Sequence, residues 1–254
     1  MVLGLIPPDR GSVSVFGQDM RASRGTWLDR VGVVAEQPRF VPAFSGVLNL
    51  SLLATARHVP QARVGECLEQ VGLAEHRATA FGKYSLGMKQ RLGIAAALLK
   101  RVDLFILDEP SNGLDPVGVR DLRAMLRALA AEGKTILMSS HDLSEVEAVA
   151  DTVSIMRDGR LVLSGTTDEI IARAGNTSVM IKTTDPVQVA QIAAQVKPGG
   201  VVSRSPSGVT LVGFTEAEVS EMNRRCAIDG IPIFEIAIRR PTLEDAFVDA
   251  TDGD

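Results

Sequence analysis

The 254-residue sequence predicts an α/β fold with a parallel sheet, followed by a smaller α+β unit. Leu104–Leu107 are all apolar, which is typical of a parallel strand that is covered on both faces. A predicted helix and a second predicted strand, Thr135–Ser140, follow it along the chain. After residue 165 the predicted elements change to the order β-α-β-β-α-β, which indicates a separate unit.

The first hundred residues predict two short β segments and then a run of helices. Gly11–Gly17 and Val31–Ala35 have β-type patterns with turn residues between them, and we expect them to form a small antiparallel part. Residues 45–100 are expected to be helical. The apolar residues that indicate this are Leu48, Leu50, Leu52 and Leu53, then Val64, Cys67, Leu68 and Val71 at helical spacing, then the apolar helix Met88–Leu99.

The helix between the two predicted strands has recognisable ends. Asp115 is suited to cap it, and Pro116 is suited to its first position. Gly133 is suited to end it. Its apolar face consists of Leu122, Met125, Leu126 and Leu129.

The second unit begins beyond a hairpin turn at Asp158-Gly159. Asp185 caps its first predicted helix, Pro186–Val196, and Thr215 with Glu218 forms a capping box that opens the second helix. The pattern fits a small ferredoxin-like sandwich. Its predicted strands are Ser178–Lys182, Val201–Arg204, Val209–Val212 and Ile231–Ile238.

Composition narrows the class of protein. A hydrophobic content of 45% is enough to bury a large core in one or two domains. The net charge of -4 and the lack of a block of Lys and Arg argue against a nucleic-acid surface. The longest apolar stretch, Leu92–Leu99, is far shorter than the roughly 20 residues of a membrane-spanning helix. Two distant cysteines, Cys67 and Cys226, favour a reducing compartment and indicate neither a disulfide framework nor a zinc site.

The candidate catalytic site is expected where the apolar strand ends in Asp108 and Glu109. Ligands of open α/β sheets lie beyond the carboxyl ends of such strands. We expect Asp108 to hold a hydrated magnesium ion and Glu109 to act on an attacking water. A buried strand that merely ends in acidic residues is an equal alternative for these two residues alone, but the loop Ser111–Asp115 that follows favours the site.

Three motifs occur in an order and spacing that resemble the nucleotide-binding subunit of an ABC transporter. They are Tyr84–Leu92 (Tyr-Ser-Leu-Gly-Met-Lys-Gln-Arg-Leu), Leu104–Pro116 and Ser139–His141. The resemblance covers residues 1–165, with a helical subdomain at about residues 45–100, and leaves residues 166–254 as an accessory α+β domain. It implies a P-loop NTPase fold of the ABC type, with ATP and Mg²⁺ as cofactors.

The resemblance also implies roles for particular residues. Ser85 and Gly87 belong to the signature motif, which acts in trans on the nucleotide held by the opposite subunit, although Leu86 and Met88 replace the usual glycine and glutamine. Asp115 lies at the dimer seam. Ser85 and Asp115 are also suited to cap helices, and for Asp115 both roles are compatible.

Two further roles follow from the same resemblance. His141 is expected to contact the γ-phosphate and to orient Glu109, whereas His58 and His76 are expected to be surface or packing residues. Glu36 occupies the position of the family's metal-sensing glutamine, with Gln37 beside it. Either a magnesium ligand or a solvated pair of loop residues is consistent with this sequence.

The phosphate-binding P-loop motif, Gly-x-x-x-x-Gly-Lys-Ser/Thr, does not occur in the 254 residues. Gly133–Thr135 carries only its last three residues, and it follows a helix rather than a strand. The resemblance places Met1 inside the helix that follows a P-loop. Either the start lies at an internal methionine, or the chain is a variant without its own phosphate cradle. The first is favoured, because the missing segment would include a strand beside Leu104–Leu107 that is needed to cover it.

The expected function is that of the ATP-hydrolysing subunit of an ABC exporter. Its partners would be a separate membrane permease and a second nucleotide-binding subunit, in a homodimer or a heterodimer, with no nucleic acid. It would be cytoplasmic and peripheral on the inner face of the cell membrane. Thr242–Phe247 points to the drug and antibiotic exporters of the family.

Two other classes remain open. In the second class, the chain is a degenerate, non-hydrolysing interaction subunit that supplies only its signature motif to a complete partner. The soluble ABC proteins of translation or repair are a third class, but the sequence shows neither a second nucleotide domain nor a long arm.

Overall fold

The computed structural model describes residues 3–19 and 27–251 and divides the chain into two compact units, Met1–Asp142 and Leu143–Asp254. The boundary near residue 165 between the nucleotide-binding and accessory domains stays a prediction. None of the helices within the described residues is long and apolar enough to cross a membrane.

The first unit contains a three-stranded parallel sheet and a group of helices. The strands of this unit are β1 (Ser14–Val15), β2 (Gln18–Asp19), β3 (Val31–Val34), β4 (Leu104–Asp108) and β5 (Thr135–Ser139). The parallel sheet consists of β3, β4 and β5. Its helices are α1 (Gly46–Ala56), α2 (Ala62–Gln70), α3 (Leu86–Leu98) and α4 (Pro116–Ala131), with 3₁₀ turns at Leu28–Arg30 and Phe81–Lys83. The predicted helical stretch is therefore confirmed as α1, α2 and α3.

The pairing of β3 corrects two expectations. Among the described strands of the first unit, β1 and β2 pair antiparallel, whereas β3 runs parallel to β4 from Val31 opposite Leu104 to Val34 opposite Leu107. The strand order is β3-β4-β5, so β4 has a partner on both sides. The expectation that β4 lacks a neighbouring strand is therefore wrong. A short apolar segment such as Val31–Val34 suits either kind of sheet, and only packing decides between them.

The N-terminal segment also differs from expectation. Leu3–Ile6 form a turn and bends rather than a helix, and Gly4 has a φ of +71°. Met1 and Val2 lie outside the described residues. The side chains of Leu5 and Ile6 are exposed. A helical segment this short has no packed face to offset the cost of nucleation, so its sequence pattern alone does not make it helical.

The second unit contains two sheets. Its helices are α5 (Leu143–Val149), α6 (Thr167–Arg173), α7 (Pro186–Val196), α8 (Glu216–Ile228) and α9 (Leu243–Thr251). Its strands are β6 (Thr152–Arg157), β7 (Arg160–Thr166), β8 (Ser178–Thr183), β9 (Val201–Ser205), β10 (Gly208–Val212) and β11 (Ile233–Arg239). β6 and β7 form a hairpin, and the antiparallel sheet has the order β11-β8-β10-β9.

The local signals of the second unit are present as predicted. Asp158 and Gly159 have φ values of +50° and +74°, as a tight hairpin turn between β6 and β7 requires. Asp185 caps α7, and the capping box of Thr215 and Glu218 opens α8. The short helix α6, which the sequence analysis does not predict, begins with a further capping box at Thr166.

The C-terminal motif Thr242–Phe247 has a packing role within the second unit. Leu243 is fully buried, in a cluster with Val153, Ile155 and Ile170. Its backbone N–H donates to Glu147 Oε2 at 2.9 Å, which satisfies one of the free donors at the start of α9. This segment therefore ties α9 to the hairpin and helices of its own unit.

The core of the first unit holds β3 and β4 against α3. Phe105 and Leu107 of β4 are buried, with exposed fractions of 0% and 1%. α3 lies close to the sheet at Gly32, where an added Cβ would lie 3.0 Å from the Cβ of Ala97. An added side chain at this position would therefore crowd Ala97 and Phe105.

We expect Gly32→Ala to lower the free energy of unfolding by about 1–3 kcal/mol, because the added methyl group overpacks this contact. Gly65→Ala in α2 is the matched control, since nothing lies within 4 Å of a Cβ at that position. It should leave stability unchanged or raise it by about 0.5–1 kcal/mol. Urea unfolding of both variants measures the difference, and equal stabilities would contradict the close packing of α3 on β3.

Candidate functional site

The candidate site lies at the carboxyl ends of β4 and β5. These strands pair in parallel, with Asp108 directly opposite Ser139. Because both strands end at the same edge of the sheet, the residues that follow them, Glu109 and His141, emerge close together. The strand ends thus bring together Asp108, Glu109 and His141, which the sequence predicts to serve a magnesium ion, an attacking water and the γ-phosphate.

Four residues at this edge form a connected set of hydrogen bonds, which we call the carboxylate network: Asp108, Glu109, Ser139 and His141. Ser139 Oγ donates to Asp108 Oδ1 at 2.8 Å and accepts the backbone N–H of Glu109 at 3.1 Å. The Nδ1 atom of His141 lies 2.8 Å from Glu109 Oε2. The sequence predicted roles for Asp108, Glu109 and His141, whereas Ser139 appeared only as the first residue of the motif Ser139–His141, with no role of its own.

Glu109 has a strained backbone conformation. Its φ of +44° lies in the left-handed region, which residues other than glycine seldom occupy. Such strain costs about 1–3 kcal/mol and persists where surrounding contacts hold it, often at functional sites. Here the contacts are the bond from its N–H to Ser139 and the bond from its carboxylate to His141.

The accessibility of the pair suits a reaction with water. The side chain of His141 is 74% exposed, whereas that of Glu109 is 24% exposed. When the imidazole is neutral and protonated on Nδ1, it donates to the carboxylate and leaves Nε2 as an acceptor. The Glu109 carboxylate is therefore oriented by one partner and still reachable by a water molecule.

Magnesium fits this edge as an ion shared with a phosphate. Among the described residues, no three side chains of His, Cys, Asp or Glu come close enough together to hold a metal ion. Mg²⁺ commonly binds through one or two carboxylates, several waters and substrate phosphates. Asp108, whose Oδ1 is oriented by Ser139, offers such a carboxylate.

The structure gives Glu36, the other predicted magnesium ligand, a different contact. Its Oε1 accepts a hydrogen bond from Asn112 Nδ2 at 2.7 Å, which links the loop after β3 to the loop after β4. Gln37 is exposed. The metal role of Glu36 and Gln37 stays a prediction, and Asn112 is a contact that the sequence did not indicate.

A second group of predicted residues surrounds a cavity of about 390 Å³ in the first unit. Ser85 Oγ caps α3 by accepting the N–H of Met88 at 3.2 Å, and Asp115 Oδ1 caps α4 by accepting the N–H of Gly118 at 2.8 Å. The cavity therefore lies at the N-terminal ends of two helices, where the helix dipoles favour an anion. We call its lining the signature face, and it includes Ser85, Gly87, Asp115, His76, Arg91 and Asp121.

Further contacts hold the start of α3 in place. Arg91 Nη2 and Asp121 Oδ2 form an ion pair at 2.6 Å between α3 and α4. The hydroxyl of Tyr84 donates to the carbonyl oxygen of His76 at 2.9 Å, and burial raises the pKa of Tyr84, so this hydroxyl stays protonated. His76, expected to be a surface or packing residue, lies at the signature face. None of the carboxylate network lines this cavity within the described residues.

Comparison with known proteins places this geometry in a family. Residues 1–112 match the family model described as ABC transporter. The bacitracin transport ATP-binding protein BcrA of Enterococcus faecalis is 37% identical over 253 residues, which cover 97% of this chain and 80% of that protein. The daunorubicin resistance ATP-binding protein DrrA3 of Streptomyces coeruleorubidus is 29% identical over 256 residues, which cover 98% and 81%.

A solved structure agrees with these sequence relatives. The structure of cbiO1 from Clostridium perfringens, part of the ABC transporter complex cbiONQ, is 29% identical and superposes with a TM-score of 0.62. The match covers 67% of this chain and 72% of that one. The protein therefore belongs to the ABC transporter family, as one of its ATP-binding proteins.

The strain at Glu109 is open to a direct test. Glu109→Gly and Glu109→Ala both remove the carboxylate, but only glycine adopts a positive φ without a steric penalty. We expect the glycine variant to be more stable than the alanine variant by about 1 kcal/mol, because the relief of strain exceeds the greater entropy of glycine in the unfolded chain. Chemical denaturation measures this difference. An alanine variant as stable as the glycine variant would show that Glu109 does not have the left-handed conformation.

Proposed function

We propose that this protein is the ATP-hydrolysing subunit of an ABC exporter and works with a separately encoded membrane permease. The observation that carries the proposal is the carboxylate network, in which two strand ends orient two acidic residues and a histidine. The names of the relatives support an exported compound of the antibiotic or drug type. Binding to the permease would hold the subunit at the cytoplasmic face of the membrane.

The proposed chemistry is attack of water on the γ-phosphate of ATP. Glu109 accepts a proton from the water or orients it, and His141 holds the Glu109 carboxylate through Nδ1. When bound beside Asp108, Mg²⁺ supplies positive charge that stabilises the phosphate oxygens. Because the histidine is largely exposed, it is free to reach a phosphate bound above the strand ends.

The signature face has a different proposed task. Its two helix N-termini and the Ser85 hydroxyl provide N–H and O–H donors for phosphate oxygens. We propose that Ser85, Gly87 and Asp115 contact the nucleotide of a second nucleotide-binding subunit, in a homodimer or a heterodimer. The separation of this face from the carboxylate network supports a role in trans.

The printed 254 residues contain no P-loop motif, and a second candidate function applies only if no P-loop precedes them. A chain without the loop amides and lysine has no cradle for the β and γ phosphates of its own nucleotide. It would then supply its signature face to a complete partner without hydrolysing ATP at its own site. The two candidates differ in whether Glu109 acts on a nucleotide, and the experiments below separate them.

The catalytic role of Glu109 requires a chain with a phosphate cradle. The test uses a chimera in which the P-loop segment of a complete ABC ATP-binding subunit precedes Met1. We expect Glu109→Gln to retain ATP binding but to slow steady-state phosphate release by about 10²-fold or more, the scale of losing a positioned acid-base group.

Glu75→Gln is the matched control for this variant, because Glu75 is an exposed carboxylate outside the carboxylate network. It should release phosphate at the rate of the unmodified chimera. If Glu109→Gln does so as well, Glu109 is not the catalytic carboxylate.

The 254-residue chain alone should bind ATP weakly and should not hydrolyse it. A P-loop supplies several charge-assisted hydrogen bonds, each worth about 1.5–3 kcal/mol, so their loss weakens binding by orders of magnitude. Mixed with a complete subunit, the chain should support turnover at no more than one of the two composite sites. Isothermal titration with ATP and phosphate release measure both quantities.

Gly87→Ala tests whether the signature face of this chain supports turnover in the mixed complex. An added Cβ would meet only Leu114 Cδ2 at 3.9 Å, so the variant should fold normally, but the methyl group would stand where the partner's phosphate approaches. It should therefore remove turnover in the mixture. Micromolar ATP binding with steady hydrolysis by the chain alone, abolished by Glu109→Gln, would contradict the missing cradle.

A further inference from the structure

Ser139 lies between two consecutive acidic residues at the end of the neighbouring strand. The register of β4 and β5 pairs it with Asp108, so its side chain reaches both Asp108 and the peptide that follows. Its hydroxyl donates to Asp108 Oδ1 at 2.8 Å and accepts the N–H of Glu109 at 3.1 Å. A serine hydroxyl has one proton to donate, so the bond to Asp108 uses its full donor capacity.

These two bonds act on the two acidic residues in different ways. The first fixes one carboxylate oxygen of Asp108 and leaves Oδ2 for another ligand. The second holds the backbone of Glu109 at the point where its φ is +44°. The carboxylate of Glu109 then meets His141 Nδ1 at 2.8 Å. One hydroxyl therefore contacts both acidic residues, Asp108 through its carboxylate and Glu109 through its backbone.

The adjacent serine has a separate contact. Ser140 Oγ accepts the N–H of Asp142 at 3.1 Å and so shapes the loop that carries His141. Ser140 lies just beyond the end of β5 and accepts a different backbone N–H, so the two serines are not interchangeable. Only Ser139 lies in register with Asp108.

We propose that Ser139 is a positioning residue for ATP hydrolysis, which acts through Asp108 and Glu109 and does not touch the reacting atoms. The catalytic part of this proposal rests on the proposed function. The structural part of the proposal is that the hydroxyl holds the Glu109 peptide in the left-handed conformation. This part is independent of the proposed function. The chemistry requires a hydroxyl at this position, and a methyl group cannot replace it.

The test compares Ser139→Thr with Ser139→Val. The two side chains have nearly the same shape and the same β-branching, but only threonine keeps a hydroxyl. Ser154→Ala is a control for removing a strand hydroxyl elsewhere, because Ser154 Oγ contacts only Ser164 Oγ at 3.0 Å among its described side-chain contacts. Amide hydrogen exchange at Glu109, followed by NMR on the 254-residue chain, needs no nucleotide.

We expect exchange of the Glu109 amide to be about 2- to 10-fold faster in Ser139→Val than in the unmodified chain, which is the effect of losing one hydrogen bond. Ser139→Thr and Ser154→Ala should leave it unchanged. Equal exchange rates in the threonine and valine variants would overturn the proposal, because the hydroxyl would then not hold this peptide.

The catalytic part is tested in the chimera with a P-loop. Ser139→Val should lower kcat by about tenfold, with the KM for ATP unchanged, and Ser139→Thr should restore most of it. If Ser139 acts through Glu109, adding Ser139→Val to Glu109→Gln should cause little further loss. A full additional loss in that double variant would overturn the part of the proposal in which Ser139 acts through Glu109.

The exchange measurement and the kinetic measurement together distinguish a failure of this proposal from a failure of the proposed function. A chimera that hydrolyses no ATP would contradict the proposed function and, with it, the catalytic part of the Ser139 proposal. The exchange measurement would still decide the structural part. Faster exchange in the valine variant with an unchanged kcat would confine Ser139 to a structural role and so overturn its assignment as a positioning residue.

Discussion

The parallel pairing of β4 with β5 is the interaction on which the candidate site depends. It sets Asp108 opposite Ser139 and brings the loops that carry Glu109 and His141 to the same edge. A shift of this register by one residue would turn every side chain of the strand to the other face and separate these partners. Burial of Phe105 and Leu107 opposes such a shift, because both side chains would leave the core. The apolar part of β4 therefore positions the chemistry at its end.

The signature face depends more on apolar packing than on its ion pair. Arg91 and Asp121 are both partly exposed, and pairs of this kind contribute about 0–1 kcal/mol. Residues 92–98 of α3 are all buried, with Leu92 and Ile94 fully enclosed, and each such large apolar side chain contributes about 1.5–3 kcal/mol. The core therefore fixes where the helix begins, and the ion pair sets how α3 and α4 meet around the cavity.

The two units divide structure and chemistry between them. Every predicted site residue lies in the first unit, from Glu36 to His141. The second unit has its own buried clusters, one beneath the four-stranded sheet and one joining α9 to the β6–β7 hairpin. Its capping boxes and hairpin turn are local features that do not depend on the first unit.

The sequence by itself determined the features that arise from neighbouring residues. Caps at Ser85 and Asp115 follow from side chains that reach a backbone N–H three positions ahead, and the Asp158-Gly159 turn follows from two residues that tolerate a positive φ. The order of motifs also identified Asp108, Glu109 and His141 as members of one site. Each of these signals is complete within a few residues of the chain or within a recognisable motif.

Only the tertiary structure decided which distant segments meet. The parallel pairing of Val31–Val34 with β4, the bond between Glu36 and Asn112, and the two bonds of Ser139 join residues that are 30 or more positions apart. An apolar segment carries the period of a strand but no information about its partner, and a single serine hydroxyl leaves no periodic pattern at all. Packing of the whole core selects these contacts, and for that reason they are absent from the local sequence.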